Sequence, residues 1–333
     1  MEYSNINFNN KTILITGGAG FIGSNLAFYF QENYPNSKVV VFDCFRSGEK
    51  FENGNLKSFG HYANLIGFKG EIICGNLNSK RDIGLLEEYK FDYIFHQAAI
   101  SDTRVYDQEI IMRTNINSFY DILKIADSSK ATLIYASSAA TYGSLQSPQK
   151  IGLESPENPY GYSKYVMDCI AESFSLESDI KIVGLRFFNV YGPREFYKAK
   201  TSSMIIQLGH QILSGRSPRL FENSENIFRD FVYIDDVIQG NIKACSSKKN
   251  GVFNIGYGRS RSFVDIVNIL QEYLGTSLEI EFFKNPFSGY QMHTCADISL
   301  SDEFLDYKPF FSLEEGIRKY MHEIKTTHNK ISD

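Results

Sequence analysis

Tyr160 and Lys164 stand four residues apart in Tyr160-Gly161-Tyr162-Ser163-Lys164, after Pro156 and Pro159 and at the head of the amphipathic run 165–174. On a helix that spacing places both side chains on one face. An ammonium beside a phenol lowers the phenol's pKa from ~10 toward working pH. A phenol so tuned can exchange a proton with a substrate hydroxyl while hydride moves to or from a nicotinamide. The apolar run 131–135 delivers Ala136-Ser137-Ser138, a polar strand end in the position where α/β enzymes carry chemistry.

Hydride chemistry of this kind needs a dinucleotide, and Thr16-Gly17-Gly18-Ala19-Gly20-Phe21-Ile22-Gly23, directly after the apolar run 12–15, is a place for one. Gly17, Gly20 and Gly23 let a strand turn sharply into a helix and bring backbone N–H groups against a pyrophosphate, which the positive helix end then holds. A second strand, 38–42, ends in Asp43, about twenty residues past Gly23, where a ribose-contacting carboxylate belongs. Arg46 and Lys50 follow, and basic side chains beside that ribose could pair with a 2′-phosphate. Asp43 favours NAD and the two cations favour NADP; NADP is expected. Strand 93–95 leads to His96, read as a packed strand-end residue, and then to Ala98 and Ala99, which leave room for a ligand over the carboxyl end of the sheet.

Strand and helix signals alternate through the first half, which predicts an α/β fold with a doubly wound parallel sheet. The dinucleotide-binding domain is expected over 1–190, with a returning strand near 251–256. Residues 191–330 then form mainly a smaller substrate domain. Residues 44–70 read as a long surface excursion, 110–126 as a helix with Asn115 near its start, 181–188 as a strand, 262–274 as a helix, and the tail from His322 as a fraying helix end. Arg194, Lys198, Lys200 and Arg229 form a local basic set suited to a diphosphate.

The 333 residues, 43% hydrophobic and 22% charged, have the balance of a globular enzyme. A net charge of −5 argues against nucleic acid as a partner. No stretch approaches ~20 uninterrupted apolar residues and the first eleven lack an apolar leader segment, so no membrane association and a cytoplasmic location are expected. The five cysteines are scattered, with no metal-ligand spacing. Reduced, mostly buried thiols and no metal site are expected.

The glycine run, the serine strand end and Tyr160-x-x-x-Lys164, in this order, resemble the extended short-chain dehydrogenase/reductase family of nucleotide-sugar epimerases and dehydratases. The resemblance extends through Arg186-Phe187-Phe188-Asn189-Val190-Tyr191-Gly192-Pro193-Arg194-Glu195, Leu220 to Asn226 and Arg229 to Tyr233. It implies a Rossmann-type fold and a cofactor site lined by Phe21, Ile22, Asp43, Cys44, Lys50, Gln97, Ala98, Ala99, Ile100, Ser101, Asn115 and Val190. Lys198 would join Tyr160 as a second acid/base, with Ser138 donating to the reacting oxygen. Asn189, Lys200, Gln207, Phe221, Glu222, Asn223, Ser224, Arg229 and Tyr290 would face the substrate. The chain departs from the family pattern at Asn76 and at Lys200. The implied substrate is an ADP-heptose-type nucleotide sugar epimerised without net redox change. A UDP- or GDP-sugar 4-epimerase or 4,6-dehydratase is the alternative, and the implied assembly is a homo-oligomer.

Overall fold

Successive apolar residues of the strands point into two different hydrophobic layers, as the two-residue period of a strand requires. Ile13, Ile15, Val39 and Val41 pack on one face of a sheet, Leu14, Val40 and Phe42 on the other. Burial on both faces explains why these strands read as continuous apolar runs. The computed structural model describes residues 3–286 and 291–332. Its main sheet holds β1 (Thr12–Thr16), β2 (Lys38–Asp43), β3 (Glu71–Cys74), β4 (Tyr93–His96), β5 (Thr132–Ser138), β6 (Ile182–Phe187) and, after three strands of the second half, β10 (Gly251–Ile255). The order is β10-β6-β5-β4-β1-β2-β3, every neighbouring pair parallel. The strand order reverses between β1 and β4, and the crevice at their carboxyl ends is where a doubly wound sheet receives a ligand.

Helices cover both faces: α1 (Phe21–Asn33), α2 (Lys80–Glu87), α3 (Gln108–Ile111), which runs through a π-helical stretch at Met112–Asn117 into α4 (Ser118–Ser129), and α5 (Pro159–Ser175). The chain leaves the sheet at Phe187, one residue before the strand was expected to end. There the Phe188 N–H donates to the Ile255 carbonyl at 3.1 Å. The next three residues form β7 (Asn189–Tyr191), which pairs with β9 (Phe228–Tyr233) in a second sheet, order β11-β9-β7, where β11 is Ser260–Ser262. A third sheet pairs β8 (Arg219–Phe221) with β12 (Glu281–Phe283). Around these lie α6 (Met204–Leu213), α7 (Ile234–Ala244), α8 (Phe263–Leu274), α9 (Ser299–Leu305) and α10 (Leu313–Ser332).

Three expectations are corrected here. The tail does not fray at His322, because Ile324 and Thr327 are buried and α10 packs against α6, with the Ile324 side chain filling the space beside Gly209. Residues 44–70 are more than the surface excursion expected: Phe51, Asn64 and Leu65 are buried, and the His61 N–H donates to the Ala19 carbonyl at 3.0 Å. The thiols are not mostly buried; Cys44, Cys74 and Cys169 are exposed, Cys295 is intermediate and Cys245 is buried. Cys74 lies on the edge strand of the sheet, where one side has no neighbouring strand among the described residues. Among the described residues no helix is long and apolar enough to cross a membrane.

Candidate active site

A cleft of about 560 Å³ lies over the carboxyl ends of the central strands. Its floor is the glycine run. Gly17 has φ +68°, and a Cβ there would meet the Ala98 nitrogen at 2.8 Å, so the ends of β1 and β4 touch only because this residue has no side chain. A Cβ on Gly23 would lie 2.3 Å from the Gly17 carbonyl oxygen. Gly20 caps α1 without any side-chain hydrogen bond, so the first-turn N–H groups of the helix stay open toward the cleft. Phe21, Ile22, Asp43, Cys44, Gln97, Ala98, Ala99, Ile100, Ser101 and Val190 all line the cleft. The Gln97 amide donates to Asn241 at 3.1 Å, while its oxygen is buried without a partner among the described residues.

Other expected cofactor residues fall elsewhere. Neither Arg46 nor Lys50 lines the cleft. The Arg46 guanidinium turns away to donate to the Tyr197 carbonyl, and Lys50 is exposed beside its bridge partner Leu56. Lys57 and Ser58, which sequence reasoning missed, line that end instead, next to Cys44. Asp43 is buried, its two carboxylate oxygens accepting from Ala19 N–H at 3.0 Å and Phe45 N–H at 2.8 Å. Burial pushes its pKa up against those two bonds. Asn115 stands behind the wall: its amide bonds both backbone groups of Ile100, at 2.9 and 3.0 Å, and the Ser163 hydroxyl at 2.9 Å.

One wall of the cleft carries the tyrosine. Asn158 caps α5 by accepting from the Gly161 N–H at 2.8 Å, and Pro159 fits the first turn. Tyr160 and Lys164 then project to the same face. A Cβ on Gly161 would lie 2.4 Å from the Ala140 carbonyl oxygen, so the glycine lets α5 touch the turn that Ser138 caps. That contact brings the Ser138 hydroxyl to the phenol. Burial raises the Tyr160 pKa, and the hydrogen bond from Ser138 lowers it in part. The expected fall of the phenol's pKa toward working pH is not met, because desolvation outweighs the Ser138 hydrogen bond. The Lys164 ammonium is itself fully buried, donates to the Ala136 carbonyl at 2.7 Å and is brought down to about 8 by burial, with Asp168 opposing.

The opposite wall is the irregular segment 192–203. Lys198 lies on it, its ammonium 5.6 Å from the centre of the Phe21 ring and without a hydrogen bond or ion pair among the described residues. Burial lowers its pKa, while Glu195 and then Asp102 favour the charged form. Glu195 is fully buried and staples the segment, accepting from Gly192 N–H at 3.2 Å, Ser203 N–H at 2.6 Å and the Ser203 hydroxyl at 2.7 Å. Its place at the end of the run Arg186 to Glu195, which carries the resemblance, was the signal available for it. The basic set divides: Lys198 and Arg229 line the cleft, whereas Arg194 lies 3.9 Å over the Phe28 ring and Lys200 is exposed. Asn189 lines the cleft. Gln207, Phe221, Glu222, Asn223 and Ser224 do not. Gln207 donates to the Ser202 carbonyl at 2.7 Å, and Phe221 to Ser224 form the end of β8 and its turn. Tyr290 is outside the described residues. Among the described residues no group of three His, Cys, Asp or Glu could hold a metal ion.

A nicotinamide dinucleotide fits this arrangement: a phosphate cradle that a Cβ would fill, a helix start with open N–H groups, and titratable side chains beyond it. The comparisons agree. The chain is 36% identical over 315 residues, 92% of its length and 96% of the relative's, to an ADP-L-glycero-D-manno-heptose-6-epimerase from Brachyspira hyodysenteriae. The crystal structure of the Helicobacter pylori ADP-L-glycero-D-manno-heptose-6-epimerase superposes with a TM-score of 0.90 at 51% identity, covering 98% of this chain and 99% of that one. A UDP-glucuronic acid 4-epimerase from Bacillus cereus, solved with UDP-glucuronic acid and NAD, gives 0.81 at 29% identity over 95% and 99% of the two chains. Residues 13–256 match the model of the NAD dependent epimerase/dehydratase family, and with the glycine cradle, the Ser138, Tyr160 and Lys164 wall and these relatives, the chain belongs to that family.

Proposed function

We propose that the protein inverts C6″ of ADP-D-glycero-D-manno-heptose to give the L-glycero epimer, using a bound NADP and no net oxidant. The observation that carries the reading is the placement of two proton-transferring groups on two walls of one cleft, Tyr160 with Ser138 on one and Lys198 on the other. NADP would supply transient hydride acceptance, held by the Gly17–Gly23 cradle. Tyr160 removes the proton of the 6″-hydroxyl, with Ser138 donating to the reacting oxygen. Lys164 keeps positive charge behind the tyrosine. Once the sugar's keto form has turned and taken the hydride back on its opposite face, the new alkoxide faces the other wall, where Lys198 supplies the proton. Asn189 and Arg229 line the side of the cleft offered to the diphosphate sugar, and residues 191–330 act mainly as the substrate domain. The enzyme works in the cytoplasm as a homo-oligomer. The relatives at 36% and 51% identity are both heptose epimerases, which favours this substrate over a UDP- or GDP-sugar.

The preference for NADP rests on Lys57, which lines the end of the cleft that holds Asp43 and Cys44 and whose ammonium lies 3.1 Å from the exposed Glu49 carboxylate. Competition titration should find NADP⁺ bound at least tenfold tighter than NAD⁺, and equal affinities would remove the preference. The substrate is tested by proton NMR of the purified protein with ADP-D-glycero-D-manno-heptose. The expected result is conversion to the epimer without added oxidant and without mass change. A product lighter by one water would identify a dehydratase, and no conversion beside turnover of a UDP-sugar would overturn the substrate.

A further inference from the structure

The segment carrying Lys198 is fastened to the dinucleotide half of the molecule by residues that the proposed chemistry does not use. Tyr197 stacks on His61 with ring centroids 3.8 Å apart and planes within 5°. The Tyr197 carbonyl accepts from Arg46. Nearer the start of the segment, the Pro193 carbonyl accepts from Asn25 of α1 at 2.9 Å, and the Arg194 guanidinium donates to the Asn64 carbonyl at 2.5 Å.

These anchors lead back to the phosphate cradle. The Ala19 carbonyl, inside the glycine run, accepts from the His61 N–H at 3.0 Å and from the Asn64 amide at 3.1 Å. Cradle, His61, Tyr197 and Lys198 therefore form one continuous line of contacts. The backbone on either side of Lys198 is held in unusual conformations, with φ +74° at Arg194 and φ +51° at Ala199. Non-glycine residues persist there only where surrounding contacts over-determine them. Glu195 holds the segment together from within, and the Tyr197 ring holds it from outside.

Gly17, Gly20 and Asp43 on one side and Lys198 with Thr201 and Ser202 on the other line the same cleft. A dinucleotide held in the cradle would lie between them and would leave when they part. Neither His61 nor Tyr197 lines the cleft, so both act through the parts they join. We infer that the His61–Tyr197 stack is a latch that positions Lys198 and slows dinucleotide release. A cofactor that returns its hydride to the same substrate has no need to leave between turnovers, so slow release costs the reaction nothing. The role of Lys198 here rests on the epimerase reading; the latch itself is read out by dinucleotide release alone.

The test is stopped-flow release of bound NADPH, followed by its fluorescence after a chase with excess NADP⁺. Tyr197→Ala and His61→Ala should each raise the release rate about tenfold, ~1.4 kcal/mol, and the double variant should exceed the larger single effect only slightly, because both remove one contact. Tyr197→Phe keeps the ring and should restore slow release. Both alanine variants should lower kcat on the heptose substrate and leave KM within about twofold. Release rates unchanged in folded His61→Ala and Tyr197→Ala would overturn the latch, as would acceleration by Tyr197→Phe equal to that by alanine. Faster release in the alanine variants, with no heptose turnover even by the unaltered protein, would uphold the latch and remove the epimerase reading.

Discussion

The two walls of the cleft are built by different means. The tyrosine wall consists of regular elements: a capped helix, a strand end and a glycine that lets them touch. Its polar groups are fixed by short-range geometry, with Lys164 on the Ala136 carbonyl and Ser138 capping its own turn. The lysine wall has almost no regular structure. Lys198 sits in a short 3₁₀ stretch bracketed by positive-φ residues, and it is placed by Glu195 from within and by side chains from distant parts of the chain. A group that must take a proton at one fixed geometry is served by rigid elements. The proposed latch asks for the opposite on the Lys198 segment, contacts that can be made and broken.

The contrast can be broken at its strongest point first. Positioned proton transfer contributes ~10²–10⁴-fold, so Tyr160→Phe should lower kcat by that range in steady-state assays while NADPH titration shows binding retained. Gly161→Ala should come next. Its Cβ would lie 2.4 Å from the Ala140 carbonyl, both parts being backbone, and overpacking of this kind costs about 1–3 kcal/mol. Thermal melts should report that loss, and kcat should fall because α5 is pushed off the Ser138 turn. An unchanged melting temperature would mean that the wall is softer than its geometry implies.

A smaller effect concerns pH. Lys164 is depressed to about 8 by burial, so its positive charge is present below that pH and is lost as pH rises through it. If that charge supports Tyr160, kcat/KM should fall through about pH 8 on the alkaline side, since this parameter reports groups of the free enzyme. Lys164→Arg keeps the charge and should move the fall upward. A flat profile to pH 10 would separate Lys164 from proton transfer.

The same contrast explains what the sequence revealed. The sheet, the cradle and the tyrosine wall were legible because each depends on local pattern: short apolar runs for strands, a spacing of four for Tyr160 and Lys164, three glycines in a turn. Arg46, Lys50 and Arg194 were misplaced because a cation's position on a loop says nothing about which way it points. Arg46 goes to the Tyr197 carbonyl and Arg194 to the Phe28 ring, partners about 150 and 165 residues away. Asn115 fell one layer back because a π-helical stretch turns its amide onto Ile100. Lys198 stood out as one cation of the basic set and received its acid/base role only by resemblance, Glu195 stood only as the last residue of the run that carries the resemblance, and Lys57 was missed, since nothing in its immediate neighbours marks it as facing a cleft.

The measurement that bears most directly on two-walled proton transfer is the steady-state kinetics of Lys198→Met with ADP-D-glycero-D-manno-heptose, beside NADPH binding by the same variant. If Lys198 is the second acid/base, kcat falls by ~10²–10⁴-fold while KM and NADPH affinity stay within about twofold. If Lys198 only grips the diphosphate, KM rises and kcat is spared, and the proton must then be returned by the Tyr160 wall alone.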